Sequence, residues 1–461
     1  MRNTMTRTAV APLVLAAVAL VLTATPAAAT IDGIQVASAI TLYAKADYVT
    51  SADGGSIPMW GLTNLAGGRA QYPSPTLILN QGDVVTVTLT NQLPVSTSLV
   101  FPGNDVTACT GAVGVLTCEA AAGGTATYTF AATEPGTYLY HSGTAPAVQV
   151  EMGLLGAIIV RPYGYVDESP TAYGDIESAY DREYLFVLSE MDPDIHEMVE
   201  HGDSFTGTAA LGDYFSKYWF LNGRTGPDTM AEAGVDWLPT QPYNVLPRMH
   251  PGEKVLMRVI SAGREPHPFH HHGNHARVIA RNGRLLESAP GAGPDLSYEV
   301  FTIEANPGET YDAIYEWTGE GLGWDIYGTP AVGMAHTCTP NADGYDTVTH
   351  ESCADHYGSC VDVNGDGWDD TTGERCTNGY TKGFPVSLPQ NQNLTFGGFW
   401  SGSPYLGSAG ALPPGEGGLN PNSGYTFMWH SHTEKELTNN DIFPGGMMTM
   451  LIVEPPGVPI D

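Results

Sequence analysis

A chain of 461 residues with 50 acidic against 18 basic side chains carries a formal charge of −32. That argues against nucleic acid or an anionic lipid surface as a partner, since both repel such a chain. The length leaves room for two or three domains with sizeable cores, and the acid is spread along the sequence as a solvated surface requires.

Residues 1–29 read as a secretory signal peptide. Arg2 and Arg7 form a basic start, Ala9 to Leu22 is an apolar run, and Ala27-Ala28-Ala29 offers a small-residue cleavage site. No later segment has about 20 uninterrupted apolar residues, so no membrane span is expected and the protein is read as exported, extracellular or periplasmic. Six cysteines lie beyond the leader, an even number that suits three disulfides in an oxidising compartment. Cys109 and Cys118 are close enough to close one loop. The pairing of Cys338, Cys353, Cys360 and Cys376 stays open.

Strand signals dominate the chain beyond the leader. DVVTVTLTN (Asp83–Asn91) and GTATYTFAA (Gly124–Ala132) alternate apolar and polar residues, and LLGAIIV (Leu154–Val160) is a buried run. Turn clusters such as NQGD, EPGT and NPGE separate the strands, which predicts all-β sandwiches with Greek-key connections. The signals recur in the same order in two halves. QGDVVTVTLTN is matched by PGEKVLMRVISAG, and GTYLYHSG with GLLGAIIV is matched by SGYTFMWHSH with GGMMTMLIV. The first copy spans residues 30–165, a linker 166–183, and the second copy 184–461.

Three features of the second copy belong to chemistry or imitate it. HEMVEH (His196–His201) places its histidines five apart, one too many for a zincin helix face. An insertion at 319–423 contains VDVNGDGWDD, in which Asp362, Asn364, Asp366 and Asp370 fall at alternating positions of a Ca²⁺ loop that lacks its final glutamate. GGMMTM (Gly445–Met450) offers three thioethers soft enough for Cu(I), although a terminal core strand explains it more simply.

The histidines carry the main signal. Glu265–His275, EPHPFHHHGNH, holds five of the chain's 14 histidines, and Tyr425–His432 reads YTFMWHSH. Side chains two apart in a strand face the same way, so His270 points with His272 and His430 with His432. If the two strands are neighbours, four imidazoles converge. Such a set suits copper, zinc, iron or nickel, and spacing alone does not choose among them.

HPFHHHG at His267–Gly273 resembles the HPxHxHG loop of multicopper oxidases, and WHSH at Trp429–His432 resembles their terminal HCH loop. GTYLYHS, FLNGR and PGETYDAIYEWT add to the resemblance, and the first half is also similar to copper nitrite reductases. The resemblance implies two tandem cupredoxin domains, copper bound by His267, His270, His272, His430, His432 and His141, an electron donor that is a small molecule or metal ion, and O₂ as acceptor. Two-domain members of the family are often trimers, so a homotrimer is the implied assembly.

The sequence departs from that pattern at the residues that matter most. Ser431 stands where the family has the thiolate of its type-1 copper, and Glu436 stands where a second histidine belongs. Ser142, Gln149 and Leu154 occupy the matching places in the first half. A hydroxyl cannot replace a soft, covalent thiolate ligand. Val100-Phe101-Pro102 replaces one H-x-H pair, and His141 alone remains of another. The sequence therefore predicts an oxidoreductase with a histidine-only, non-blue copper site. The alternatives are a non-catalytic copper-sequestering protein and a zinc site, because four imidazoles also satisfy tetrahedral zinc. Glu434 and Glu436 are read as a solvated turn.

Overall fold

The computed structural model describes residues 31–203, 212, 214–317, 425–454 and 458–460, with short pieces between 339 and 420. The leader, Cys338, Cys353 and Cys360, the side chain of Cys376, and Asp362, Asp366 and Asp370 lie outside the described residues. Among the described residues, no helix is long and apolar enough to cross a membrane.

The first sandwich faces a four-stranded sheet, in the order Ile34–Gln35, Ser74–Asn80, Leu155–Arg161, Gly136–His141, against a five-stranded one. The second sheet runs Ser56–Thr63, Ala39–Thr50, Val84–Asn91, Thr125–Ala131, Val106–Thr110. Alternation explains the arrangement. Val85, Val87 and Leu89 face inward and are fully buried, while the threonines between them face out. They meet Leu77, Leu79, Ile158 and Val160 from the opposing sheet, with Tyr128 and Phe130 filling the centre.

The second sandwich repeats the plan. One sheet runs Tyr218–Leu221, Arg182–Met191, Lys254–Ser261, Thr310–Glu316, Ala276–Arg281 and Arg284–Leu285. The facing sheet runs Arg248–Met249, Met448–Val453, Tyr425–Ser431, His267–His271, Thr302–Ala305. In each half a parallel pair is followed by an antiparallel strand with a His-Ser step at its end: Leu155–Arg161 then Gly136–His141, with Ser142 next, and Met448–Val453 then Tyr425–Ser431. Phe186, Phe269, Phe427 and Trp429 occupy the second core.

The two sandwiches share a third apolar layer, in which Leu139, Leu155 and Ile159 pack on Val187, Phe220 and Ile260. A buried charge network lies beside it. The Glu183 carboxylate accepts from Arg161 of the first sandwich and Arg258 of the second, and Arg258 also donates to Thr137, which donates to Asp312 at 2.6 Å. Burial alone would raise the Glu183 carboxyl, but Arg258 and Arg161 hold it below its ordinary range. The segment 166–183, read as a linker, contributes Ala172 and Tyr180 to a buried cluster on the second sandwich. HEMVEH falls in the helix Pro193–His201, capped by Asp192, and the His196 ring is buried against the Pro58 carbonyl.

Cys109 and Cys118 are bonded, closing a hairpin that exposes Val113, Val115 and Leu116. Replacing both cysteines by serine should lower stability by about 2–3 kcal/mol, the loop-closure contribution of so short a ring. Urea unfolding of the double variant checks this, and an unchanged midpoint contradicts it.

Candidate metal centre

The strands His267–His271 and Tyr425–Ser431 are antiparallel neighbours, with His270 directly opposite His430. The even-numbered residues of both face away from the core that holds Phe269, Phe427 and Trp429. Four imidazoles therefore gather on one outer sheet face. The His270 ring centroid lies 4.9 Å from that of His272, 5.4 Å from His430 and 4.8 Å from His432, and His272 lies 5.1 Å from His430. One ligand nitrogen each from His270, His272 and His430 falls within a 4.8 Å group. His432 stands outside that group, exposed at its rim.

Both the tethering of these rings and their spacing fit a metal ion. His270 Nδ1 is 2.9 Å from Thr302 Oγ1, and His430 Nδ1 is 2.6 Å from the Ser431 carbonyl oxygen. Ligand histidines are held in this way, with one nitrogen anchored so that the other is aimed. His430 Nε2 lies 3.2 Å from His272 Nε2. Two nitrogens each about 2.0–2.1 Å from one ion stand about 3–3.4 Å apart, so the pair is already at chelating distance. Burial, reinforced by His430 and His432, pushes His270 down to about 4. Burial, followed by His430 and His270, pushes His272 to about 2, and burial also lowers His430. These three imidazoles are thus neutral near pH 7, the form that ligates a cation. Copper and zinc both fit such a donor set.

Thr302 has no sequence signal beyond its place in an alternating strand. Thr302→Val removes the anchor of His270 and should weaken metal affinity by about 10-fold, the lower end for loss of such a partner. A chelator competition titration measures the change.

His267, expected to ligate with the others, does not share their site. It is odd-numbered on the same strand, so its ring turns to the opposite face, where it is completely buried. Its Nε2 is 2.8 Å from Glu190 Oε2 and its Nδ1 is 2.9 Å from Glu436 Oε2. Burial alone would lower it, but the two carboxylates outweigh that and lift it to about 9. An imidazolium donating through both nitrogens has no lone pair left for a metal. Glu436 is accordingly buried, not part of a solvated turn, and Glu190 carries no signal in the sequence. A Cβ at Gly263 would sit 1.8 Å from Glu190 Oε2, so any larger residue there would have to push the carboxylate off His267.

The matching position of the first sandwich is also filled. The Gln149 side-chain oxygen accepts from Ser142 at 2.6 Å and Thr97 at 2.7 Å, and its amide donates to the Ser96 carbonyl. Every polar atom of the glutamine that needs a partner has one. His141, the sixth expected ligand, is not in the three-histidine group. It pairs with Val100 as His430 pairs with His270, and its Nδ1 rests on the Ser142 carbonyl at 2.9 Å, the same anchor His430 uses. The pose of a ligand is kept, but Val100 stands where the second imidazole of that half would be.

Residues 59–164 match the family model described as multicopper oxidase. The chain is 30% identical to Laccase-1 of Emericella nidulans over 132 residues, 26% of this chain and 21% of that protein. It is 28% identical over 265 residues to a copper-containing nitrite reductase of Alcaligenes xylosoxydans xylosoxydans, covering 55% of this chain and 71% of that one. The blue copper oxidase of Nitrosomonas europaea superposes with a TM-score of 0.52 at 17% identity, over 91% of this chain and 86% of the other, which shows a shared fold. The chain spans about a fifth of the length of the laccase it matches. Residues 59–164 thus match a multicopper oxidase domain, and the chain as a whole shares the cupredoxin-like fold of that blue copper oxidase.

Proposed function

We propose that the protein is an exported oxidoreductase whose copper is held by His270, His272 and His430, with His432 at the mouth, and without any sulfur ligand from cysteine. The observation that carries this reading is the His430–His272 nitrogen pair at 3.2 Å, with both His430 and His270 anchored through their other nitrogen. Copper bound there supplies one-electron chemistry and a place for a small oxygen-containing acceptor. The protein's own part is to aim neutral imidazoles and keep the ion at a solvent-facing mouth. A reductant has to approach this mouth directly. The place from which the family would relay electrons is occupied by Ser431 and by His267 locked between two carboxylates.

The proposed assembly is a homotrimer in which His141 of a neighbouring copy approaches the three-histidine group. Two features support it. His141 has a ligand's pose with no second imidazole beside it, and the disulfide-closed hairpin next to it exposes Val113, Val115 and Leu116. Thr117 of that hairpin lies against Gly143, two residues from His141.

A second reading, copper sequestration without turnover, is favoured by the completeness with which both thiolate positions have been refilled by serines that are hydrogen-bonded, Ser142 to Gln149 and Ser431 to the Thr433 amide. Metal analysis and electron paramagnetic resonance of the purified protein, followed by oxygen uptake with phenols and metal-ion donors, separate the readings. The expected result is bound copper with weak visible absorption and donor-dependent oxygen consumption. Intense blue colour contradicts the sulfur-free site, and bound copper without turnover leaves the sequestering reading.

A further inference from the structure

The sheet face that carries the histidines continues into methionines. On the strand Tyr425–Ser431, Met428 shares its face with His430. On the next strand, Met448 lies opposite His430 and Met450 opposite Met428. The backbone amide of His272 donates to the Met428 carbonyl at 3.2 Å, so Met428 also adjoins the HHH loop. Met230, at the end of the short turn Asp228–Met230, packs into the same buried cluster with Met450, and Met428 lies against it. The turn is tied down by Thr229, whose hydroxyl donates to the Met448 carbonyl at 2.7 Å. Met448 lies under Gly226, where a Cβ would stand 3.2 Å from the sulfur.

Met230, Met428 and Met450 therefore pack together with Leu246 and Ile452, and Met448 stands beside them on the same sheet face opposite His430, whereas the other face of these strands packs Phe427, Trp429, Leu451 and Val453 into a core that also takes Met249 and Met447. Apolar packing alone does not need sulfur at these positions, since leucine fills a similar volume. Thioethers are soft, polarizable, uncharged donors that prefer a monovalent soft cation to a divalent one. Met230, Met448 and Met450 are all buried, which keeps water from competing for an ion held there.

We propose that Met230, Met428, Met448 and Met450 form a thioether site for a soft monovalent cation, Cu(I), adjoining the histidine group on the same sheet face. The thioether site rests on the copper reading of the imidazoles but is tested apart from it. Ag(I), which mimics Cu(I) without redox chemistry, is titrated into the full metal-free chain labelled with ¹³C at the methionine methyl groups. The expected result is that one equivalent shifts the signals of these four methionines and leaves those of Met249 and Met447, which face the core, in place. The Met428→Leu/Met450→Leu variant should then bind Cu(I) at least 10-fold more weakly against a chromophoric Cu(I) chelator, with Cu(II) affinity changed less than twofold. Unmoved methyl signals in the wild-type chain overturn the proposal, and so does an unchanged Cu(I) affinity in the variant. If instead His270→Ala/His430→Ala leaves Cu(II) binding intact while Ag(I) still shifts the methionines, the copper reading of the histidines fails and the thioether site stands.

Discussion

Replacing His270 and His430 together by alanine should cut copper affinity by at least about 100-fold. Loss of a mere supporting partner already costs about 10- to 100-fold, and here two of three grouped ligand nitrogens disappear. The fold should survive, because both side chains leave the sheet on the face away from Phe269, Phe427 and Trp429. Equilibrium dialysis against copper, followed by metal analysis, gives the number. Undiminished copper stoichiometry in the double variant would place the ion elsewhere and sink the site. The comparison variant is His271→Phe, which lies between two ligands yet faces the core, with its Nε2 3.0 Å from the Val300 carbonyl. It should bind copper normally.

The second large effect belongs to His267. His267→Ala leaves Glu190 and Glu436 facing each other across a cavity without a cation, and the expected loss is about 3–5 kcal/mol, as for other buried charge pairs deprived of one partner. Copper content should not change, since the ring lies on the other face. The pH dependence gives an independent check. His267 is raised from its ordinary value to about 9 in the folded protein, so the folded state holds a proton that the unfolded state releases in between. The stabilisation is fully present below about pH 6.5 and lost as pH rises through about 9. The gap in urea midpoint between wild type and variant should therefore narrow over that interval. A gap that stays constant with pH would mean that the imidazole is not protonated between the two acids.

The sequence made legible what strand alternation encodes locally. The H-x-H spacing put His270 with His272 and His430 with His432, and the pairing of the two strands made them one group. The same parity, applied to His267, turns it away from its neighbours, but the family pattern drew it into the ligand set instead. Its partners were harder to see, because Glu190 lies 77 residues away and Glu436 lies 169 away. An acid just past the end of a strand looks like a solvated turn until the fold shows that it is buried. Gln149 and Ser142 present the same difficulty in milder form. Their identity announced that a thiolate was missing, and only the contacts show that a hydrogen-bonded plug replaced it. The methionine patch was visible as GGMMTM, yet Met428 and Met230 come from elsewhere in the chain and join it only through register and a turn.

The charge cluster around Glu183 bears on how this molecule can move. Swinging one half of the chain relative to the other would part Arg161 from Glu183 and Thr137 from Arg258, inside a space that water does not reach. Hinge motion between the two sandwiches would therefore cost the pairing of that buried network. The same network holds the loop of His141 and the mouth at His432 to one relative bearing as long as its ion pairs stay closed.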